Sequence, residues 1–167
     1  MGFPRARKSA DSEHPHDLSA VQSAALALLA RRDYASGELH ERLQAKGYDG
    51  AMAATVIAEL MASGALNDAR FAEHYVAHHA ERGQGPVRIR ADLKARKLPG
   101  ELIDAAVGEG REWRERAQKV RLRKFGRVLP ESWREKSRQA RFLQYRGFSS
   151  DHIRAALGTD FNWDADT

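Results

Sequence analysis

Apolar residues recur at helical spacing along most of this chain. Val21, Ala25, Leu28 and Leu29 form one stripe, Leu39 and Leu43 lie one turn apart, and Val56, Ile57 and Leu60 follow on a third segment. The plan then repeats, with Phe71, Tyr75 and Val76, next Ile89 and Leu93, and next Leu102, Ile103, Ala106 and Val107. Nowhere do apolar and polar residues alternate strictly, as they would on a half-buried strand, so the pattern predicts an all-α fold. Punctuation sets the helix limits. The first helix is expected over 18–32, and the second from an N-cap at Ser36 to Gly47, with the third after Asp49. A fourth starts at Asn67 or Asp68 and stops at Gly83 and Gly85, after which Pro86 suits the first turn of a fifth over 86–97. Pro99 opens a sixth. The last three are expected over 112–127, over 131–146 and after Ser149.

These helices fall into a register of 50 residues. Leu39, Ile89 and Gln139 share a column, as do Leu43, Leu93 and Leu143, then Lys46, Arg96 and Arg146, and then Tyr48, Leu98 and Phe148. Asp49, Pro99 and Ser149, all good helix starters, form another column. Upstream, Phe71 and Tyr75 stand opposite Val21 and Ala25; downstream, Ile103, Ala106 and Val107 stand opposite Ile153, Ala156 and Leu157. A fixed period means one supersecondary unit used repeatedly. The expected architecture is three tandem three-helix repeats of about 50 residues in an elongated, curved array, over 18–64, 65–110 and 111–158. Residues 1–17 read as a disordered tail without the apolar core of a secretory signal, and 159–167 as an acidic tail able to dock on the third repeat.

Composition narrows the classes. The chain has 167 residues, of which 31% are charged, and no cysteine, which rules out disulfides, a thiolate nucleophile and a cysteine zinc site. A cytoplasmic setting suits that usage. The longest apolar run, 24–30, is too short to span a bilayer. A monomer is expected, since no apolar stripe is left over after the three cores.

The net charge of +5 is unevenly placed. Residues 111–158 hold fourteen Lys/Arg against five Asp/Glu, net +9, while 21–64 and 65–110 are close to neutral and 159–167 carry −3. Such a localised excess attracts polyanions. The helix over 112–127 carries Arg114, Arg116, Lys119, Arg121, Arg123, Lys124 and Arg127; the next adds Arg134, Arg138 and Arg141 at i, i+4 and i+7. With apolar residues spread around it, the 112–127 helix is expected to project from the core. In the second repeat, Arg90, Lys94 and Lys97 form a cationic stripe flanked by Arg88 and Arg96, suited to phosphates or to an acidic protein surface. Trp113 and Trp133 are read first as packing residues, with base stacking as the other reading.

No catalytic constellation stands out. His74 and His78 lie one turn apart with His79 beside them, but a zincin motif needs Glu where Tyr75 stands. The stretch Gly83-Gln84-Gly85-Pro86 lacks the Lys-Ser/Thr of a phosphate loop. No cofactor and no metal are expected.

Several segments together resemble the RecX family, the regulators of the RecA recombinase. Leu66-Asn-Asp-Ala-Arg-Phe-Ala72 is similar to its Leu-Asp-Asp-x-Arg-Phe/Tyr-Ala motif, with Asn67 for the first Asp. Arg82-Gly-Gln-Gly-Pro-Val-Arg-Ile-Arg-Ala-Asp-Leu93 resembles Arg-Gly-x-Gly-Pro-x-Arg-Ile-x-x-Glu-Leu, with Asp92 for the Glu. Ala25-Leu-Ala-Leu-Leu-Ala-Arg-Arg-Asp-Tyr34, the Leu39 and Leu43 pair after Glu38, and Phe142-Leu-x-x-Arg-Gly-Phe148 with Ile153, Ala156 and Leu157 also match. The resemblance covers about residues 18–158. It implies tandem three-helix repeats and a non-enzymatic modulator, mainly an inhibitor, that lodges in the groove of the RecA–single-stranded DNA filament. It also implies limits on filament growth, ATP hydrolysis, strand exchange and coprotease activity, within homologous recombination, DNA repair and the SOS response. In that setting the basic third repeat would face DNA or RecA. Asp68 and Arg70 would fix a helix start through the dipole rather than touch a partner. A protein that coats DNA directly, and a general interaction scaffold whose charge serves only solubility, are the alternatives.

Overall fold

The computed structural model describes residues 17–108 and 110–158, and the two expected tails lie outside them apart from Asp17. Among the described residues there are nine helices and no strand. They are α1 (Leu18–Leu29), α2 (Ser36–Ala45), α3 (Gly50–Ala62), α4 (Asp68–Glu81), α5 (Pro86–Ala95), α6 (Gly100–Val107), α7 (Arg111–Phe125), α8 (Trp133–Tyr145) and α9 (Ser150–Leu157). The chain divides into two compact units, one ending at Asp68 and one beginning at Ala69.

The 50-residue columns are the core. Leu39, Leu43, Ile89, Leu93 and Leu143 are fully buried, and Tyr48, Leu98 and Phe148 are buried beneath the turns that end α2, α5 and α8. Ala53, Ile103 and Ile153 make a further buried column on the third helix of each repeat. Each such aliphatic side chain contributes about 2 kcal/mol when removed from water, so a repeat is held by only a handful of them. In the first unit Val21, Ala25, Leu39, Leu43, Val56, Ile57 and Leu60 form one cluster with Tyr34, Tyr48 and Leu66.

Caps follow the register too. Asp49, Pro99 and Ser149 are the N-caps of α3, α6 and α9, as their column predicts. Asp17, expected in the tail, caps α1 by accepting from Ser19 N at 2.9 Å. The predicted N-cap at Ser36 is corrected: Ala35 holds that place and has no side chain to offer. Asp68 serves instead, accepting from Ser36 N at 2.7 Å and from Ser36 Oγ at 2.6 Å. This buried carboxylate therefore caps α2 from 32 residues away, rather than acting only on its own helix dipole. The helix ends repeat as well. Gly47, Lys97 and Gly147 stand 50 apart and all adopt positive φ, Lys97 doing so without the freedom of glycine.

In the second unit, α4–α6 and α7–α9 are joined backbone to backbone. Gly85 N donates to Arg146 O at 2.8 Å, and Val87 N donates to Gly147 O at 3.0 Å. A Cβ on Gly85 would lie 2.3 Å from Gly147 O, and one on Gly147 would lie 2.3 Å from Arg88 Cβ. Neither position admits a side chain, because main chain rather than a flexible tip is the neighbour. The helix at 112–127 does not project as expected. Trp113, Ala117 and Arg121, four apart, give α7 a buried stripe against α8 and α9. Gln118 Nε2 donates to Ala155 O at 3.0 Å across the α7–α9 contact.

Gly85→Ala is expected to cost about 3 kcal/mol of the second unit's stability. Gly100→Ala, where an added Cβ meets nothing within 4 Å, is expected to be neutral or slightly stabilising. Urea denaturation of the two variants side by side checks this.

Candidate polyanion interface

The thirteen cations expected at an interface do not share one role. Two are committed inside the fold. Arg121 is only 4% exposed. Its guanidinium donates to Gly126 O at 3.1 Å, Val128 O at 3.1 Å and Gln139 Oε1 at 3.3 Å. The register explains why. Arg121 continues the column of Val21 and Phe71, and Gln139 that of Leu39 and Ile89. Where the first two repeats set apolar residues, the third sets a hydrogen-bonded pair that also ties down the α7–α8 connection. Gln139 passes the bond on, its Nε2 donating to Glu135 at 3.0 Å. Arg90 likewise leaves the stripe: its Nη2 donates to Gly108 O at 3.0 Å and its Nε to Asp104 at 3.4 Å, fastening α5 to the end of α6. Arg116 is half-buried and pairs with Glu112, one turn earlier, at 2.7 Å in an exposed contact.

The rest stay at the surface. Arg88, Lys94 and Lys97 are exposed on and just after α5. Arg114, Lys119, Arg123, Lys124 and Arg127 are exposed on and just after α7, and Arg134, Arg138 and Arg141 on α8. Arg138 pairs with Glu135 at 2.8 Å, an exposed contact worth little. Sequence reasoning missed Arg82 and Arg146. Together with Arg123 and Lys124 they line a hollow of about 140 Å³ floored by Gly83, Val120 and Phe142. Arg146 Nη1 donates to Arg82 O at 3.2 Å, which holds it there. The Lys46, Arg96 and Arg146 column was a signal for a basic position, and the Arg82 motif was another. Beside this hollow lies a second, of about 340 Å³, with Arg116, Lys119 and Arg123 on its walls.

The two tryptophans part company. Trp113 packs, with Nε1 donating to Val107 O at 2.9 Å. Trp133, expected to pack under its neighbour, is 58% exposed at the first position of α8, next to Arg134. Of the histidines, His74 and His78 are exposed. His79 stacks on Tyr75 at 4.0 Å and shares a hydrogen bond with Gln84 at 2.9 Å. Tyr75 in turn donates to Asp92 at 3.3 Å, so Asp in place of the usual Glu still closes a bond inside the repeat. Among the described residues no group of three His, Asp or Glu could hold a metal ion, and no helix is long and apolar enough to cross a membrane.

His152 sits where α9 begins. Its Nδ1 lies 3.3 Å from Ser149 N, which donates to it, and 2.9 Å from Ser149 Oγ. Burial first, and then the Arg114 charge, hold its pKa below the ordinary imidazole value, with Asp151 opposing. His79 is also lowered, by burial first.

Consecutive three-helix units, the third of which carries the basic excess, define a helical-repeat protein. Comparison with known proteins gives the family. The models of the first, second and third three-helix domains of RecX match residues 23–60, 67–107 and 112–157, in that order. The regulatory protein RecX of Halorhodospira halophila is 44% identical over 138 residues, covering 82% of this chain and 86% of that protein. That of Pseudomonas fluorescens is 40% identical over 141 residues, covering 84% and 91%. The crystal structure of RecX from Lactobacillus salivarius has the same fold, with a TM-score of 0.71 at 20% identity over 84% of this chain and 94% of that one. The chain belongs to the RecX family of regulatory proteins.

Two outcomes follow. Arg121→Leu leaves Gln139 and two carbonyls short of a donor and is expected to cost about 2–3 kcal/mol. Adding Gln139→Leu should recover part of that loss in a double-mutant cycle by urea denaturation. The second concerns pH. In the unfolded chain His152 and His79 titrate near 6.5, so between that value and their lower folded values the unfolded state binds more protons. The second unit therefore loses stability as pH falls from 7.5 to 5.5, and His152→Asn makes that slope shallower in thermal melts.

Proposed function

We propose that this chain modulates, and mainly inhibits, the RecA recombinase by binding the RecA–single-stranded DNA filament along its groove. It acts in the cytoplasm, as a monomer and without catalysis of its own. Family membership supports the RecA partner. The observation that carries the mode of binding is the placement of charge: Lys119, Arg123, Lys124, Arg127, Arg134 and Arg141 are exposed on or beside α7 and α8, and the ion pairs described in this unit engage none of them. Arg88, Lys94 and Lys97 add a second contact from the middle repeat. A repeating filament offers many copies of one acidic or phosphate surface, so weak contacts from successive repeats multiply through effective concentration. Assembled filament is thereby favoured over free RecA. Limits on filament growth, strand exchange and coprotease activity follow from occupying the groove.

A second reading, direct coating of DNA, draws on exposed Trp133 beside Arg134, which together can stack on and neutralise a single strand. If about five phosphates are neutralised, log K falls with log salt with a slope of about −3.5.

Titration into RecA filaments on single-stranded DNA, followed by ATP hydrolysis, tests the proposal. Inhibition is expected well below one chain per RecA. Arg123→Glu with Lys124→Glu is expected to weaken it about tenfold or more. Full inhibition by that double variant would overturn the charge-borne contact. No inhibition by the unaltered chain, with tight binding to naked DNA, would promote the coating reading.

A further inference from the structure

A polar pocket of about 530 Å³ lies apart from the cationic hollows, among the starts of α5, α7 and α9 and the end of α6. Buried Pro86 and Trp113 form part of its wall, with Gly108 and Gly110 at the turn between α6 and α7. Three basic side chains from three helices line it: Arg90 of α5, Arg114 of α7 and His152 of α9. The volume is that of a ligand pocket, and the proposed filament contacts make no use of it.

Each of the three keeps donor capacity for a ligand. Arg90 spends Nη2 on Gly108 O at 3.0 Å and Nε on Asp104 at 3.4 Å, which fixes its plane and leaves Nη1. Arg114 is exposed, and the ion pairs described in this unit do not engage it. His152 Nδ1 accepts from Ser149 N at 3.3 Å, so the neutral ring carries its proton on Nε2, ready to donate. The two guanidiniums stand close enough to act on that ring. Burial first, then the charge of Arg114 and more weakly that of Arg90, hold its pKa down, with Asp151 opposing. Cations gathered on one pocket repel each other, and an oxyanion seated among them removes the repulsion. The two acids of the wall do not take that place. Asp151 is held by Arg154 of its own helix, and Asp104 is exposed and reaches Arg90 only at 3.4 Å.

We infer that this pocket binds a phosphate monoester, with Arg90, Arg114 and His152 Nε2–H on the phosphate oxygens and the exposed Asp104 and Asp151 accepting from hydroxyls of the sugar that carries it. Donors from three helices suit a tetrahedral oxyanion better than a planar carboxylate, and guanidinium forks match phosphate oxygens in pairs. The volume leaves room for a sugar beside the phosphate. The carrier is a free mononucleotide or the 5′-phosphorylated end of a strand, which present the same dianion on the same sugar. The donors are set before a ligand arrives, since Gly108 holds Arg90 and the α9 cap holds the imidazole. This inference goes beyond the proposed RecA role and does not depend on it.

NMR of the full chain without RecA tests this, with four probes: 5′-AMP, adenosine, and a short single strand with and without a 5′-phosphate. The inference expects saturable, phosphate-dependent shifts at Gly110, Trp113 and the His152 ring, and a rise in the His152 pKa on binding. A response to 5′-AMP alone assigns a free nucleotide, and one to the phosphorylated strand alone assigns the strand end. Arg114→Gln is expected to weaken binding about tenfold. His152→Gln is expected to keep the α9 cap, since Gln at the third helical position reaches back in the same way, and to weaken binding read at Trp113. Neither phosphate-bearing probe giving a saturable shift, or adenosine matching 5′-AMP where 5′-AMP responds, overturns the inference. A phosphate-dependent shift centred instead on Gly83 and Phe142 overturns it too, since the anion would then sit in the cationic hollow.

Discussion

The second unit depends on a place where two backbones touch. Gly85 and Gly147 bring the start of α5 against the turn between α8 and α9, with main-chain hydrogen bonds of 2.8 and 3.0 Å. A side chain on either glycine would run into backbone or a Cβ. This contact explains the Gly-x-Gly-Pro punctuation residue by residue. Gly83 takes positive φ to end α4, Gly85 allows the approach, and Pro86 begins α5 with no amide hydrogen to lose. The same contact holds Arg146 over Arg82 and so fixes the hollow that Arg123 and Lys124 share with them. A surface suited to polyanions is thus set by a steric constraint among uncharged atoms.

Charge in this chain has two uses that net charge does not separate. Arg121 and Arg90 are spent on carbonyls and on Gln139 or Asp104, inside the unit and between its helices. Lys119, Arg123, Lys124, Arg127, Arg134 and Arg141 stay exposed. A buried guanidinium answered by fixed acceptors stiffens the α7–α8 connection, and the exposed cations next to it then keep their spacing. That spacing matters for a partner with regularly spaced charge, which is where the proposed filament binding draws its strength.

Much of the fold was legible in the sequence because aliphatic residues have one use. The Leu43, Leu93 and Leu143 column, the Tyr48, Leu98 and Phe148 column and the caps at Asp49, Pro99 and Ser149 all stand where the period puts them. Long polar side chains were less legible. A helical period gives the face of a Cα, but an arginine stem can carry its head several ångströms into or away from the core. Arg121 was therefore read as surface, although its column with Val21 and Phe71 marked a core position. Asp68 was read as serving its own helix, whereas its partner Ser36 lies 32 residues earlier and no local pattern links them. Trp133 was read as packed, and the helix it opens turns it to solvent. Of the candidate site, the basic identity of the third repeat was plain in the sequence. Which cations face outward was not, because that depends on carbonyls at Gly108, Gly126 and Val128 that no side-chain pattern reveals.

The central claim is that successive repeats act together on an assembled nucleoprotein rather than on nucleic acid alone. The most direct measurement is fluorescence anisotropy of the labelled full chain against RecA filaments on single-stranded DNA, free RecA and naked single-stranded DNA, at one ionic strength. The account predicts binding to the filament at least about tenfold tighter than to either component. Equal affinity for naked DNA and for the filament would contradict it.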